Sequence, residues 1–487
     1  MDTGTQIFLF VAVAVALAFE FVNGFHDTAN AVATVIYTRS LPPRLAVLWS
    51  GIWNFLGVQL GGIAVAFAIV NLLPVDLVVS SQAHESRAMV LALLTSAILW
   101  NLLTWWKGLP ASSSHALIGS ILGVGVANAW MRGLPLSAGL NWTKVTEIGI
   151  SLLFSPMVGF VSAAILLLVL KRLVPAPELH APPVGDRPPP PLVRASLLAT
   201  CTGVSFAHGS NDGQKGIGLI MLILISALPG QFALAPRVDA AAIAHAAEAT
   251  RTVEQIVGRV PEVALSAGEN PLSSSAIDAV NQVERRVHGA MVMPLAIADN
   301  GARVRRLLAG RASLDGLPDS DRLAVRESIL RISASVNALE HGPRSAFSAA
   351  DRAQLKAADR ELRRLTDHAP GWVMLAVALA LGLGTTVGWK RIVVTVGEKI
   401  GKSHLTYAQG ASAELVAMSA IGLAGWSGMP VSTTHVLASG IAGTMAAQRS
   451  GLQSATLKSI ALAWVLTLPV CMTLSAVLFP VFSAALR

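Results

Sequence analysis

Ten long apolar stretches constrain this chain more than anything else in it. They lie at about 5–22, 45–72, 88–106, 114–130, 145–170, 193–228, 371–389, 405–426, 433–448 and 457–484, and a helix crosses a bilayer with about 20 apolar residues. Charged residues make up 13% of the 487, roughly half the share of a soluble domain. A soluble enzyme, a disordered chain and a fibre are thereby excluded. The expected fold is an all-α polytopic membrane protein with about 10–12 membrane helices, some of them broken or re-entrant.

The remaining charge is unevenly placed. Residues 231–370 hold 18 of the 36 Lys and Arg and 17 of the 28 Asp and Glu. Within them, runs such as Arg322-Leu323-Ala324-Val325-Arg326-Glu327-Ser328-Ile329-Leu330-Arg331 set apolar residues three and four apart between charges, which predicts amphipathic helices lying on the membrane surface. The expected organisation is a first membrane half at 1–171, a proline-rich linker at 172–192 containing Pro188 to Pro191, the start of a second half at 193–230, a helical extramembrane insert at 231–370, and the rest of the second half at 371–487. The N-terminal stretch lacks a basic region before its apolar run and is read as a retained span. Counting basic loop residues puts the N-terminus and the insert outside, an orientation that re-entrant helices would alter. The formal charge of +8 comes without any pattern for binding nucleic acid. Cys201 and Cys471 are too few for a disulfide framework.

Two motifs occur twice, in the same order. Asn23-Gly24-Phe25-His26-Asp27-Thr28-Ala29-Asn30 is answered by His208-Gly209-Ser210-Asn211-Asp212-Gly213-Gln214-Lys215, and Pro110-Ala111-Ser112-Ser113-Ser114-His115 by Pro430-Val431-Ser432-Thr433-Thr434-His435. Asp27 and His115 are 88 positions apart, and Asp212 and His435 are 83 apart once the 140-residue insert is set aside. Five apolar stretches per copy is an odd number, so the second copy enters the membrane upside down. That is the inverted-repeat plan of secondary transporters.

The residue types point to the chemistry. An intramembrane carboxylate is costly and marks function, so Asp27 and Asp212 are expected to form cation or proton sites where their helices break; a carboxylate satisfied by a helix end is the plainer alternative. Ser112, Ser113 and Ser114, and likewise Ser432, Thr433 and Thr434, follow a proline and open an apolar helix. Free backbone N–H groups, hydroxyls and the positive end of the helix dipole there make a cradle for an oxyanion. Ordinary capping explains one such cluster less well when a symmetric second one exists. His115 and His435 end the clusters and either orient the cradle or pack; His26 and His208 flank the aspartates. Glu20 and Glu414 are candidates for a proton relay or for hydrogen-bonded packing. Lys215 stands opposite Asn30 when the copies are aligned; unlike an amide it cannot coordinate a cation, and it either neutralises Asp212 or helps to hold an anion. A membrane hydrolase using Ser114 and His115 is disfavoured, because neighbours on a helix point apart.

These blocks resemble the inorganic phosphate transporter family, Pit, and specifically its bacterial low-affinity members, over both membrane halves. The resemblance implies secondary transport of inorganic phosphate through a midmembrane site in the bacterial inner membrane, with no catalysis, cofactor or resident metal. Sodium-coupled members read Asn-Asp-x-x-Asn at both motifs, the Asp and second Asn forming cation sites. Here Asp27 and Asn30 keep that pair although His26 replaces the leading Asn, while Asn211 and Asp212 are followed by Lys215. That departure implies co-transport of H+ rather than Na+. Sodium coupling, or another tetrahedral oxyanion such as arsenate or sulfate, is the alternative. Family likeness further implies passage of phosphate as a neutral Mg2+, Ca2+ or Zn2+ complex. The bilayer and phosphate are the expected partners, nucleic acid is not one, and a homodimer is a candidate assembly.

Overall fold

A computed structural model of the protein describes residues 3–486 except 71–82, 136–139, 141, 184, 186, 237, 260–294, 342–346 and 430. It divides into two compact units. One comprises Met1–Pro74, Ser80–Ile223 and Ala369–Arg487; the other is centred on Leu224–His368.

The regular elements among the described residues of the first unit are helices, beside one isolated bridge between Gly401 and Leu452. Helix α1 (Thr3–Asp27) passes through a one-residue break at Thr28 into α2 (Ala29–Tyr37), followed by α3 (Pro43–Leu60), α4 (Ala64–Val70), α5 (Ala83–Trp106), α6 (Ser113–Met131) and α7 (Trp142–Leu173). The expected tether contains a one-turn helix, α8 (Pro177–His180), which Pro177 starts from a first-turn position that needs no N–H. Next come α9 (Pro191–Ala227) and, in the second unit, α10 (Pro229–Phe232), α11 (Ala240–Gly258), α12 (Asp319–His341) and α13 (Ala349–Arg363). The first unit then resumes with α14 (Gly371–Thr385), α15 (Lys390–Glu398), α16 (Tyr407–Trp426), α17 (Thr433–Ala447) and α18 (Ser454–Ala485).

Five helical segments among the described residues are long and apolar enough to cross a bilayer, or six when α14 and α15, bent by 63°, count as one. This is fewer than the ten to twelve expected, because helices such as α17, buried on nearly every side, are short or carry polar residues. The solvent pattern is inverted relative to a soluble protein. Phe10, Leu153, Met157, Val465 and Val477 are exposed while Glu20, Asp212, Lys215 and Glu414 are 0% exposed, as suits a chain whose outer solvent is lipid. Pro156 in α7 and Pro469 and Pro480 in α18 sit inside helices, which membrane helices tolerate.

The helices pack crosswise. α1 lies on α14, α6 on α18, α17 on α7, α5 on α18 and α16 on α7, while α3 meets α9 through Gly57 and Gly209. Four of these crossings rest on a glycine. A Cβ at Gly384 would lie 2.2 Å from the Phe21 carbonyl oxygen, at Gly209 2.1 Å from that of Asn54, at Gly123 2.0 Å from that of Met472, and at Gly443 2.1 Å from that of Phe160. Close backbone approach over small residues is how membrane helices gain packing energy without a hydrophobic drive between them.

The second unit has a core of its own, including Ile243, Val253, Ile329, Val336, Leu355 and Leu362. Its helices α11, α12 and α13 turn their apolar stripes towards one another, in contrast to the expected surface-lying arrangement; 260–294 and 342–346 lie outside the described residues. Arg326, 0% exposed, donates from Nη1 to the carbonyls of Ala233 and Thr366. Burial brings its pKa down to about 10, so it stays charged at neutral pH. Ser348 and Asp351 cap α13 reciprocally.

Candidate functional site

Both Ser/Thr clusters open helices as their sequence predicts. Ser112 and Ser432 are the N-caps of α6 and α17, each hydroxyl accepting from the backbone N–H three residues on, His115 and His435, at 3.2 Å in both cases. The first residue of each cluster is therefore engaged in capping. Pro110 precedes the first cluster; its counterpart Pro430 lies outside the described residues.

The following hydroxyls meet the two Asp motifs. Asp27 receives Ser113 Oγ on Oδ2 at 3.3 Å and Thr434 Oγ1 on Oδ1 at 2.9 Å, so one cluster from each half grips the same carboxylate. Asn30 donates from Nδ2 to Thr434 Oγ1 at 3.0 Å. Lys215 Nζ lies 2.7 Å from Asp212 Oδ2 and donates to Ser114 Oγ at 2.5 Å. Ser114 passes its own proton to the Val431 carbonyl at 3.1 Å. Thr433 is buried in the same turn, and Asn211 donates to the Met429 carbonyl at 3.3 Å. Asp27, Asn30, Ser113 and Thr434 thus meet by their side chains, as do Asp212, Lys215 and Ser114.

Two histidines are held in place by their neighbours. Thr104, whose hydroxyl also lies 2.9 Å from the carbonyl of Trp100, is hydrogen-bonded to His26 Nε2 at 3.0 Å. The other ring nitrogen, Nδ1, faces Asp27 Oδ1 at 3.0 Å. That short contact places one proton between the ring and the carboxyl. His208 is set the opposite way. Asn54 donates from Nδ2 to Thr385 Oγ1 at 3.2 Å, leaving its Oδ1 to accept from His208 Nδ1 at 2.8 Å. His208 Nε2 then points between the carboxylates, 3.8 Å from Asp27 Oδ2 and 3.6 Å from Asp212 Oδ2. These gaps exceed hydrogen-bond length. Asp27, His208 and Asp212 each bring one ligand atom within 4.8 Å of the others, a grouping not anticipated by a sequence reading without metal ligands.

Elsewhere the arrangement differs from expectation. α9 runs unbroken through Asp212, and only Thr28 interrupts the first motif, so no large gap in a helix exposes backbone beside either aspartate. His115 and His435 stack on each other at 4.6 Å, and His435 on Trp464 at 4.1 Å; Trp464 Nε1 donates to the Pro110 carbonyl at 2.8 Å. They brace the two cradle helices against each other. Glu20 takes a long contact from Asn23 Nδ2 at 3.4 Å and rests on Gly216, where a Cβ would meet its Cγ at 2.3 Å. Glu414 accepts from Thr200 at 2.5 Å. Asn54, Thr104 and Thr385 were missed; their only sequence signal is a polar side chain inside an apolar stretch.

The comparisons agree with this geometry. A model of the Phosphate transporter family matches residues 23–475. Low-affinity inorganic phosphate transporters PitB and PitA of Escherichia coli are 43% and 42% identical to the chain, over 98% of it and 97% of each of them. In fold the chain is similar to a solved sodium-dependent phosphate transporter, with a TM-score of 0.54 at 20% identity and 98% of both chains covered. The chain is a multi-pass membrane protein and belongs to the phosphate transporter family.

Proposed function

We propose that this protein takes up inorganic phosphate with low affinity across the bacterial inner membrane by symport with protons. The carrying observation is His26, held by Thr104 at Nε2 and facing Asp27 at Nδ1 at 3.0 Å: a buried imidazole–carboxyl hydrogen bond is a proton site beside the hydroxyls that would hold phosphate. The phosphate-binding groups in this reading are Ser113, Ser114, Thr433 and Thr434, with Ser112 and Ser432 fixing the helix ends. Lys215 in place of the second motif's Asn supplies a fixed positive charge, which favours an oxyanion and opposes Na+. HPO4²⁻ entering a negative interior meets about 2.3 kcal/mol per charge per 100 mV. Accompanying protons remove that opposition.

An inverted repeat fits the crosswise packing, in which α1 on α14 is answered by α9 on α3, and α6 on α18 by α17 on α7. In this reading the 231–370 segment is an extramembrane insert.

A second reading, passage of phosphate as a neutral divalent-metal complex, is favoured by Asp27, His208 and Asp212. Their spacing suits groups sharing one ion, whose donor atoms lie roughly 3–4 Å apart, and Asn54 holds His208 in the ligating tautomer.

Purified protein in sealed vesicles tests the proposal. Radiolabelled phosphate accumulates under an imposed pH gradient without Na+; a strict need for a Na+ gradient overturns it.

A further inference from the structure

A second cationic cavity lies apart from the aspartate cluster, where the end of α5 meets the start of α15. Its volume is about 550 Å³, and Lys107, Lys390, Arg391 and Lys399 line it together with Trp105 and Trp389. No Asp or Glu is among the lining residues. Basic residues in a loop are the ordinary result of membrane orientation. Four of them from two separate segments, converging on one concavity without a compensating carboxylate, are not.

The walls are built. Trp105 Nε1 donates to the Gly388 carbonyl at 2.8 Å, and Arg391 donates to the Trp106 carbonyl at 2.8 Å while its guanidinium lies 5.1 Å from the Trp105 ring centre. Lys107 Nζ sits 4.8 Å from the Trp106 ring centre. Thr395 Oγ1 holds the Gly108 carbonyl at 2.7 Å, and only Leu109, Pro110 and Ala111 separate Gly108 from the cradle residue Ser112.

We propose that this cavity is a second binding site for a phosphate-type oxyanion, either free phosphate at the mouth of the pathway or the phosphate of an anionic lipid headgroup. Guanidinium and ammonium groups held over indole rings keep their charge directed at the cavity, and Arg391 retains N–H donors suited to paired phosphate oxygens.

Residue-resolved lysine acylation of the full-length protein, read by mass spectrometry, tests it. In nanodiscs of zwitterionic lipid, millimolar inorganic phosphate should slow acylation of Lys107, Lys390 and Lys399 severalfold at constant ionic strength. Lys171 and Lys458, which lie outside the cavity, should be unaffected. In the headgroup form, the same protection appears without added phosphate in discs containing phosphatidylglycerol. Arg391→Gln should weaken the protection in either case. Equal acylation of all these lysines in every condition would overturn the proposal.

Discussion

Lys215 ties its own half of the protein to the other: its Nζ lies 2.7 Å from Asp212 Oδ2 on the same helix and 2.5 Å from Ser114 Oγ at the start of α6. The ammonium is 0% exposed, so removing it leaves Asp212 buried without its ion-pair partner. Lys215→Met should cost about 3–5 kcal/mol in the stability of the purified protein, the usual penalty of breaking a buried pair from one side, and should abolish uptake. The double variant Asp212→Asn, Lys215→Met should regain most of that stability without regaining transport. Thermal melting in detergent, paired with an uptake assay, separates the two effects. Lys215→Asn recreates the amide of the first motif and tests whether Na+ dependence is gained.

Members of each hydroxyl cluster should behave differently. Ser112 and Ser432 cap helices, so Ser112→Ala and Ser432→Ala should each lower stability by about 1 kcal/mol and change uptake by a few fold. Ser113 and Thr434 instead hold Asp27. Ser113→Ala removes one hydrogen bond and Thr434→Val two, a net change of about 1 kcal/mol in stability for each bond; uptake should fall much further than with the capping variants. Equal losses of uptake across all four variants would contradict the division of roles.

The crossings on glycine predict a packing hierarchy. At Gly443 a Cβ meets the Phe160 carbonyl oxygen at 2.1 Å, whereas at Gly422 nothing lies within 4 Å. Gly443→Ala should push α17 off α7 and lower the yield of folded protein. Gly422→Ala should be neutral or raise stability by about 0.5–1 kcal/mol, because the unfolded chain has less conformational freedom to lose with alanine than with glycine. Monodispersity on size exclusion and melting temperature check both.

His368 sets a pH dependence for the second unit. Burial first, and the Arg326 guanidinium second, hold its pKa down at about 4 against an ordinary 6.5. The folded unit binds the neutral ring, so this contribution to stability is present above pH 6.5 and is lost as pH falls from 6.5 towards 4. Protease cleavage within α12 and α13 of the full-length protein should increase over that window, and His368→Gln should flatten the change.

Duplication made the site legible in the sequence. Asp27 with Asp212, and Ser112 to Ser114 with Ser432 to Thr434, could be read as functional because each occurs twice at matching spacing, and the caps at Ser112 and Ser432 follow from local chemistry alone. Asn54 and Thr104 could not be read that way: each acts only through contact with a histidine 154 or 78 positions away. A helix break was expected at Asp212, but the helix continues, and Gly209 and Gly213 beside it serve close approach to α3. The apolar stripes of α11 to α13 were visible, while the surface they cover, one another, depends on tertiary packing.

The central claim is that His26 and Asp27 carry the coupling proton. The most direct measurement follows lumenal pH with a trapped dye as phosphate is added to vesicles containing the protein in Na+-free buffer. Phosphate entry should bring lumenal acidification with the wild-type protein, and neither should occur with Asp27→Asn. Phosphate entry without proton movement, or unchanged proton-linked entry with Asp27→Asn, would contradict the account.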